Sequence, residues 1–341
     1  MIKYKKKSPS GSGKKMSRGK KAALISISTI VGILLLAVIA GGWYVNSQLG
    51  KINYQPVKTT SQSPANVKTN DGTKLTWDSN VLNILLIGSD TREVSQGGRS
   101  DSMILISINK NSKKIIMTSF MRDMYVPIAG HGQNKINAAY SYGGTSLLIQ
   151  TIEQNFDIRI DKYISVDFFS FIKIIDQLGG VNVSVTSKEL PVLNSYVQEI
   201  NRIEKLSEND GVLTKSGTNL LLTGKQALGY SRIRYVGNAD FQRTERQRTV
   251  LNQVFSKIKQ QNILTQMSIL NTLLPDVTTD LSKSDLMSLV SNSLTYKGYD
   301  VVQDRIPVDG SYQGTMVGSQ DVLKIDFSKN IAELKHVIYG K

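Results

Sequence analysis

The chain has 341 residues, 40% hydrophobic and 20% charged, the balance of an ordinary globular protein with room for one large domain or two small ones plus appendages. It has no cysteine and only two histidines, His131 and His336, which excludes disulfides, zinc–thiolate centres and a cysteine nucleophile and argues against a histidine-rich metal site. Net charge is +15, but nine positive residues fall in the first 21 positions and no acid precedes Asp71, so the remainder lacks the even basic coat of a general nucleic-acid binder.

Residues 1–21 are Lys, Ser and Gly with almost nothing to bury, and read as a disordered basic tail. Ala22–Val45 is an uncharged apolar run, long enough as a helix to cross a hydrocarbon core of about 30 Å. Trp43 and Tyr44 stand where an interfacial anchor belongs, and the positive charges before the run put the N-terminus in the cytoplasm. A cleaved signal peptide is the competing reading; the length of the run favours a retained transmembrane anchor with the rest of the chain outside the plasma membrane. Residues 46–75 are polar and read as a linker or stalk, leaving 76–341 as the folded domain.

Strands are predicted at Asn83–Gly88, Met103–Ile108 and Lys114–Phe120, the last two joined by a polar hairpin loop. A Gly-rich loop follows around Gly130 and Gly132, then a helix from Thr145 through Leu148, Ile152 and Phe156. Tyr163–Val166 reads as a strand, Asp167 as the cap of a helix that stops at Gly179-Gly180, and Val181–Val185 as an alternating strand. Residues 187–220 read as polar and irregular. Thr223 and Gln226 form a capping box for a helix ending near Tyr230; further helices are expected over Asp240–Gln260 and Ser282–Leu294, and a strand over Asp300–Pro307. Strands and helices intermingle throughout, which predicts an α/β fold, an α/β/α layered domain around a mixed sheet.

The chemistry gathers in two stretches. In Asn83–Asp123, acids and arginines sit at strand ends: Asp90 with Arg92, Arg99 with Asp101, Arg122 with Asp123. The second, Ser231–Arg248, carries Arg232, Arg234, Arg243, Arg246 and Arg248. On the helix from Asp240, Arg243 and Gln247 share the apolar stripe of Val250, Leu251, Val254 and Ile258, while Arg246 and Arg248 fall on its flanks. An inward arginine must be paired, either with a structural carboxylate or with a bound anion. If Ser231–Tyr235 is extended, Arg232 and Arg234 share a face; with Arg243 they form a cluster too large for one internal carboxylate and suited to phosphate oxygens. Asp90 and Asp101 are equally readable as partners of Arg92 and Arg99 or as ligands of a hard cation beside phosphate.

Gly88–Arg92, Arg99-Ser100-Asp101, Arg122-Asp123, the Lys135–Tyr140 block, Gln226–Arg234 and Asp240–Arg248, in this order, resemble the LytR-CpsA-Psr family of Gram-positive cell-wall enzymes. The resemblance is strong over about residues 77–260, with a motif core at 81–260, and looser to the end. It implies a phosphotransferase that moves a glycopolymer such as teichoic acid or capsule from a polyprenyl pyrophosphate carrier to peptidoglycan. It further implies that Asp90 and Asp101 bind Mg2+ (or Mn2+). Arg99, Arg122, Arg232, Arg234, Arg243 and Gln247 would surround the pyrophosphate, with Arg99, Arg122, Asp90 and Asp101 in the catalytic set and Asp101 or Asp90 as base. The apolar helices at 145–156 and 167–178 are either ordinary core or walls of a lipid groove. Gln242 stands where the family often has Gly.

Three other readings remain at this point. A non-catalytic binder of anionic lipid or polymer would keep the arginines without needing both aspartates. A pyrophosphatase would use water in place of the sugar acceptor. A DNA-binding regulator conflicts with the outward topology, and no nucleic-acid partner is expected.

Overall fold

The centre of the molecule is a seven-stranded mixed sheet in the order β1 (Asn53–Tyr54), β10 (Thr278–Thr279), β7 (Lys162–Asp167), β2 (Val81–Ser89), β3 (Ser100–Asn109), β4 (Lys114–Phe120) and β11 (Asp300–Ile306). In the computed structural model, residues 53–57, 74–89, 98, 100–262, 265, 266, 268 and 274–341 are described. The basic tail, the apolar run at 22–45, and Asp90, Arg92 and Arg99 lie outside them. Among the described residues no helix is long and apolar enough to cross a membrane.

Three long strands make the middle of the sheet: β2 (Val81–Ser89), β3 (Ser100–Asn109) and β4 (Lys114–Phe120), each antiparallel to the next. Their apolar runs are nearly unbroken because both faces are covered. Alternate residues point to opposite layers. Leu85, Met103 and Leu105 pack on one side against Leu148, Ile152 and Phe156 of α1 (Ala138–Phe156) and Leu334 and Ile338 of α8 (Phe327–Tyr339). Ile104, Ile106 and Ile108 face the other side, against Leu251 and Phe255 of α5 (Ala239–Gln260). The expected three-layer α/β/α order is therefore present. β7 (Lys162–Asp167) runs parallel to β2, and β11 (Asp300–Ile306) parallel to β4. A short strand β1 (Asn53–Tyr54), within the segment read as linker, lies parallel to β10 (Thr278–Thr279) at the sheet edge.

A side lobe packs β8 (Val181–Val185) and β9 (Gly217–Leu222) with α3 (Glu189–Ile203) and α4 (Gly224–Arg232); Val250 of α5 belongs to the same cluster. This corrects the irregular reading of 187–220. Leu190, Leu193, Val197 and Ile200 carry a helical stripe there, and Pro191 sits in the first turn, where its missing N–H costs nothing.

Other expectations change at element ends. The Gly-rich loop is a β-hairpin, β5 (Tyr125–Ile128) with β6 (Gly132–Lys135). α1 starts at Ala138 and is broken at Gly143 and Gly144, so its regular part begins at Thr145 as expected. Ser231 and Arg232 are the last turn of α4 and not an extended segment. The C-terminal hairpin β12 (Tyr312–Val317) and β13 (Gln320–Ile325), with α8 behind it, had no counterpart among the predicted elements. The caps read from sequence are present: Asp167 accepts from Ser170 N at 2.7 Å to open α2 (Phe168–Gln177), and capping boxes open α4 at Thr223 and α6 (Lys283–Ser291) at Ser282, although the single helix expected over Ser282–Leu294 is split into α6 and a short α7 (Ser293–Tyr296).

Candidate active site

One edge of the sheet collects the chemistry. β2, β4 and β7 end there and β3 begins there, the edge at which open α/β sheets bind ligands. β3 delivers Asp101, the turn after β4 delivers Arg122 and Asp123, and the first three turns of α5 deliver Asp240, Arg243 and Gln247. Arg122 Nη1 donates to Asp101 Oδ1. Lys135 Nζ lies 2.5 Å from Asp123 Oδ1.

Asp240 is the hub that sequence reasoning missed. Its buried carboxylate lies 3.1 Å from Arg243 Nε, 3.5 Å from Arg234 Nε and 3.6 Å from Arg122 Nε, and accepts from Arg243 Nη2 at 3.2 Å. One internal carboxylate thus gathers three arginines, contrary to the expectation that it could not. A signal was available: an acid in the first turn of a helix, three residues before an inward arginine. Arg232 stands apart, paired with Glu199 at 3.1 Å and stacked on Tyr196 and Phe168 at 4.4 and 4.8 Å.

The cluster still has capacity for an anion. Among the described residues, Arg122 Nε, Arg243 Nε and Asp240 Oδ1 are buried in ion-pair contact with one another but without an aligned hydrogen bond, so the excess positive charge of the three arginines is only partly satisfied from within. Burial pulls the Arg243 guanidinium below its ordinary pKa; Asp240 and Asp101 offset this only in part, with Arg122 and Arg234 adding to the loss. Arg122 differs: burial opposes its charge, but Asp101, Asp240 and Asp123 outweigh it and hold its pKa up.

Behind the arginines opens a cavity of about 410 Å3. Phe168, Phe171 and Ile174 of α2 form one apolar wall, and Val250, Leu251 and Val254 of α5 another; Asp101, Arg122, Arg232, Arg234, Arg243 and Gln247 also border it. The structure therefore brings these six expected site residues around one space. Of the two helices considered as lipid walls, only α2 borders the cavity; the apolar face of α1 is core beneath the sheet.

Arg246 and Arg248, expected on the flanks of the stripe, are both buried. Arg246 bonds Glu189 at 2.8 Å and the carbonyls of Ile233 and Val236 at 3.1 and 3.2 Å; Arg248 donates to Ser119 Oγ at 2.8 Å. Gln242 folds back so that its Oε1 accepts from Asn238 N at 3.1 Å.

For a metal, the described residues offer no group of three or more acidic or histidine side chains. Asp101 remains a partly exposed carboxylate at the cavity with only Oδ1 engaged by arginine. That donor set suits Mg2+, which is held by one or two carboxylates and completes its shell with water and phosphate oxygens.

The model of the LytR_cpsA_psr family matches residues 46–335. Two relatives carry the name polyisoprenyl-teichoic acid–peptidoglycan teichoic acid transferase TagU. That of Halalkalibacterium halodurans is 31% identical over 88% of this chain and 91% of its own length. That of Enterococcus faecalis is 31% identical over 96% and 100%. In fold, the chain matches LytR-CPS2A-psr family protein YwtF (TagT) with bound octaprenyl pyrophosphate lipid at a TM-score of 0.59 and 23% identity, over 84% of this chain and 98% of that one. With a family match across most of the sequence, two full-length relatives and the same fold, the chain belongs to the LytR-CpsA-Psr family.

Proposed function

We propose that the protein is a membrane-anchored phosphotransferase that moves an anionic glycopolymer, of the teichoic acid or capsule class, from polyprenyl pyrophosphate to peptidoglycan. The observation that carries this reading is the junction of two environments in one space: a mouth lined by the guanidinium groups of Arg122, Arg232, Arg234 and Arg243, opening into an apolar cavity. A pyrophosphate ester of a long hydrocarbon has this same division. The transferase names of the two relatives support the reaction class, and the apolar run at 22–45 would anchor the domain outside the membrane.

In the reaction, a peptidoglycan hydroxyl oxygen attacks the sugar-linked phosphorus. The bond from that phosphorus to the bridging oxygen breaks, and polyprenyl phosphate leaves. Arg122, Arg243 and Arg234 would stabilise charge on the transferring group, with Gln247 beside them and Arg232 at the mouth; Arg99, two residues before Asp101 in sequence, would join them. Asp240 holds the arginines in position and, buried among them, does not reach the acceptor. Asp101 with Asp90 would hold Mg2+, which supplies further charge neutralisation when bound. The attacking hydroxyl's proton passes to Asp90 or Asp101.

The test uses residues 51–341 with a polyprenyl-pyrophosphate-linked glycan, peptidoglycan oligomers and Mg2+. Polyprenyl phosphate release should require the acceptor and fall about 100- to 1,000-fold in Arg122→Ala, with a loss of similar size in Asp101→Ala. Release without acceptor would make the protein a pyrophosphatase; tight binding with no turnover would make it a carrier-lipid binder.

A further inference from the structure

The segment between α4 and α5, residues 233–238, holds an exposed aromatic ring in a backbone that is fixed from below. Tyr235 is 84% exposed, the most exposed of the large hydrophobic side chains among the described residues, and it borders the same cavity as the arginines. Its ring centroid lies 6.0 Å from the guanidinium carbon of Arg234, which in turn faces Asp240. The loop beneath it is clamped at three points. Arg246, 2% exposed and paired with Glu189, donates to the carbonyls on either side of Tyr235, those of Ile233 and Val236. Gln242 accepts from Asn238 N. Gly237 has φ +78°, and a Cβ there would fall 1.4 Å from Gln242 Oε1, so this chain's Gln242 occupies the room a side chain would need. A large ring left in water on a loop held this firmly is pre-ordered for a flat partner.

We propose that Tyr235 is a stacking platform for a hexopyranose ring at the mouth of the site. The inference rests on the transfer reading. Once a pyrophosphate lies between the arginines with its hydrocarbon inside the cavity, what remains at the mouth is sugar. The C–H face of a pyranose packs on an aromatic face, and its hydroxyls stay in water. The ring belongs either to the sugar already on the pyrophosphate or to the acceptor glycan; both offer the same face. Tyr235 is a specificity residue under this account and takes no part in the phosphorus chemistry.

The experiment compares wild type, Tyr235→Ala and Tyr235→Trp in the full-length chain held in detergent. It measures affinity for glycan-free polyprenyl pyrophosphate, affinity for the same lipid bearing a sugar, and KM for peptidoglycan oligomers. Tyr235→Ala should bind the glycan-free lipid like wild type. It should lose about fivefold either in affinity for the sugar-bearing lipid, which assigns the donor sugar, or in acceptor KM, which assigns the acceptor. Tyr235→Trp should keep wild-type values. Matching values for Tyr235→Ala and wild type in both sugar measurements would overturn the platform alone. Failure of wild type to bind polyprenyl pyrophosphate at all would overturn the transfer reading, and the platform with it.

Discussion

Five arginines of the Ser231–Arg248 stretch look alike in sequence and do three different jobs. Arg234 and Arg243 face Asp240 in the site, and Arg232 is fixed by Glu199 and two rings at its mouth. Arg246 and Arg248 hold the structure together. Helical period alone identified Arg243 as inward, because a 100° step decides which face a residue occupies. It could not separate Arg246, whose partner Glu189 lies 57 residues away, or Arg248, whose partner Ser119 lies 129 residues away. Arg246→Ala would leave the Glu189 carboxylate buried and unpaired and two loop carbonyls without donors. It should destabilise the domain by about 3–5 kcal/mol in urea unfolding. A loss under about 1 kcal/mol would remove Arg246 from its role as clamp. Glu153 gives a pH-dependent counterpart. Burial raises its pKa to about 7, with Asp161 adding to the rise, against the Ile160 N–H it accepts and the Arg159 charge, which lower it. The unfolded chain ionises this group first, so its contribution is full below about pH 4.5 and is lost as pH rises through 7. Glu153→Gln should therefore gain about 3 kcal/mol relative to wild type between pH 4.5 and 8. Parallel stability curves for the two proteins would contradict this.

The elements that show in the sequence are those whose neighbours treat both faces alike. β2, β3 and β4 stood out as apolar runs because helices cover the sheet on both sides. Caps were legible because they are local: Asp167, Thr223 with Gln226, and Ser282 with Asp285 each act within three residues. α3 was obscured by the polar residues on its solvent side and by Pro191, the β5 hairpin by its four-residue strands, and the β12 hairpin by its exposed residues. The cavity had no sequence signature of its own, since Phe171, Ile174 and Val254 read as core until α2 and α5 are seen to leave space between them. That space is testable at one position. Val254→Trp would fill part of the α5 wall and should weaken binding of an octaprenyl-length pyrophosphate about tenfold, with a short-chain analogue little affected. Equal effects on the two lipids would place the hydrocarbon elsewhere.

At the scale of the whole molecule, the domain places a charged mouth and an apolar cavity at one edge of a rigid sheet, and the layered fold was legible from the alternation of its elements. The gathering of Asp101, Arg122 and Asp240 was not, because it depends on tertiary packing: β3 and β4 are neighbours in sequence, but α5, which packs on their face, follows much later in the chain. The account stands on which bond breaks. The most direct measurement places a radiolabel on the sugar-side phosphorus of a polyprenyl-pyrophosphate-linked glycan and follows it in the presence of peptidoglycan oligomers. The account predicts that the label enters the peptidoglycan as a phosphodiester while unlabelled polyprenyl phosphate is released. Label that stays with the lipid, or leaves as a free glycan phosphate with acceptor present, would contradict it.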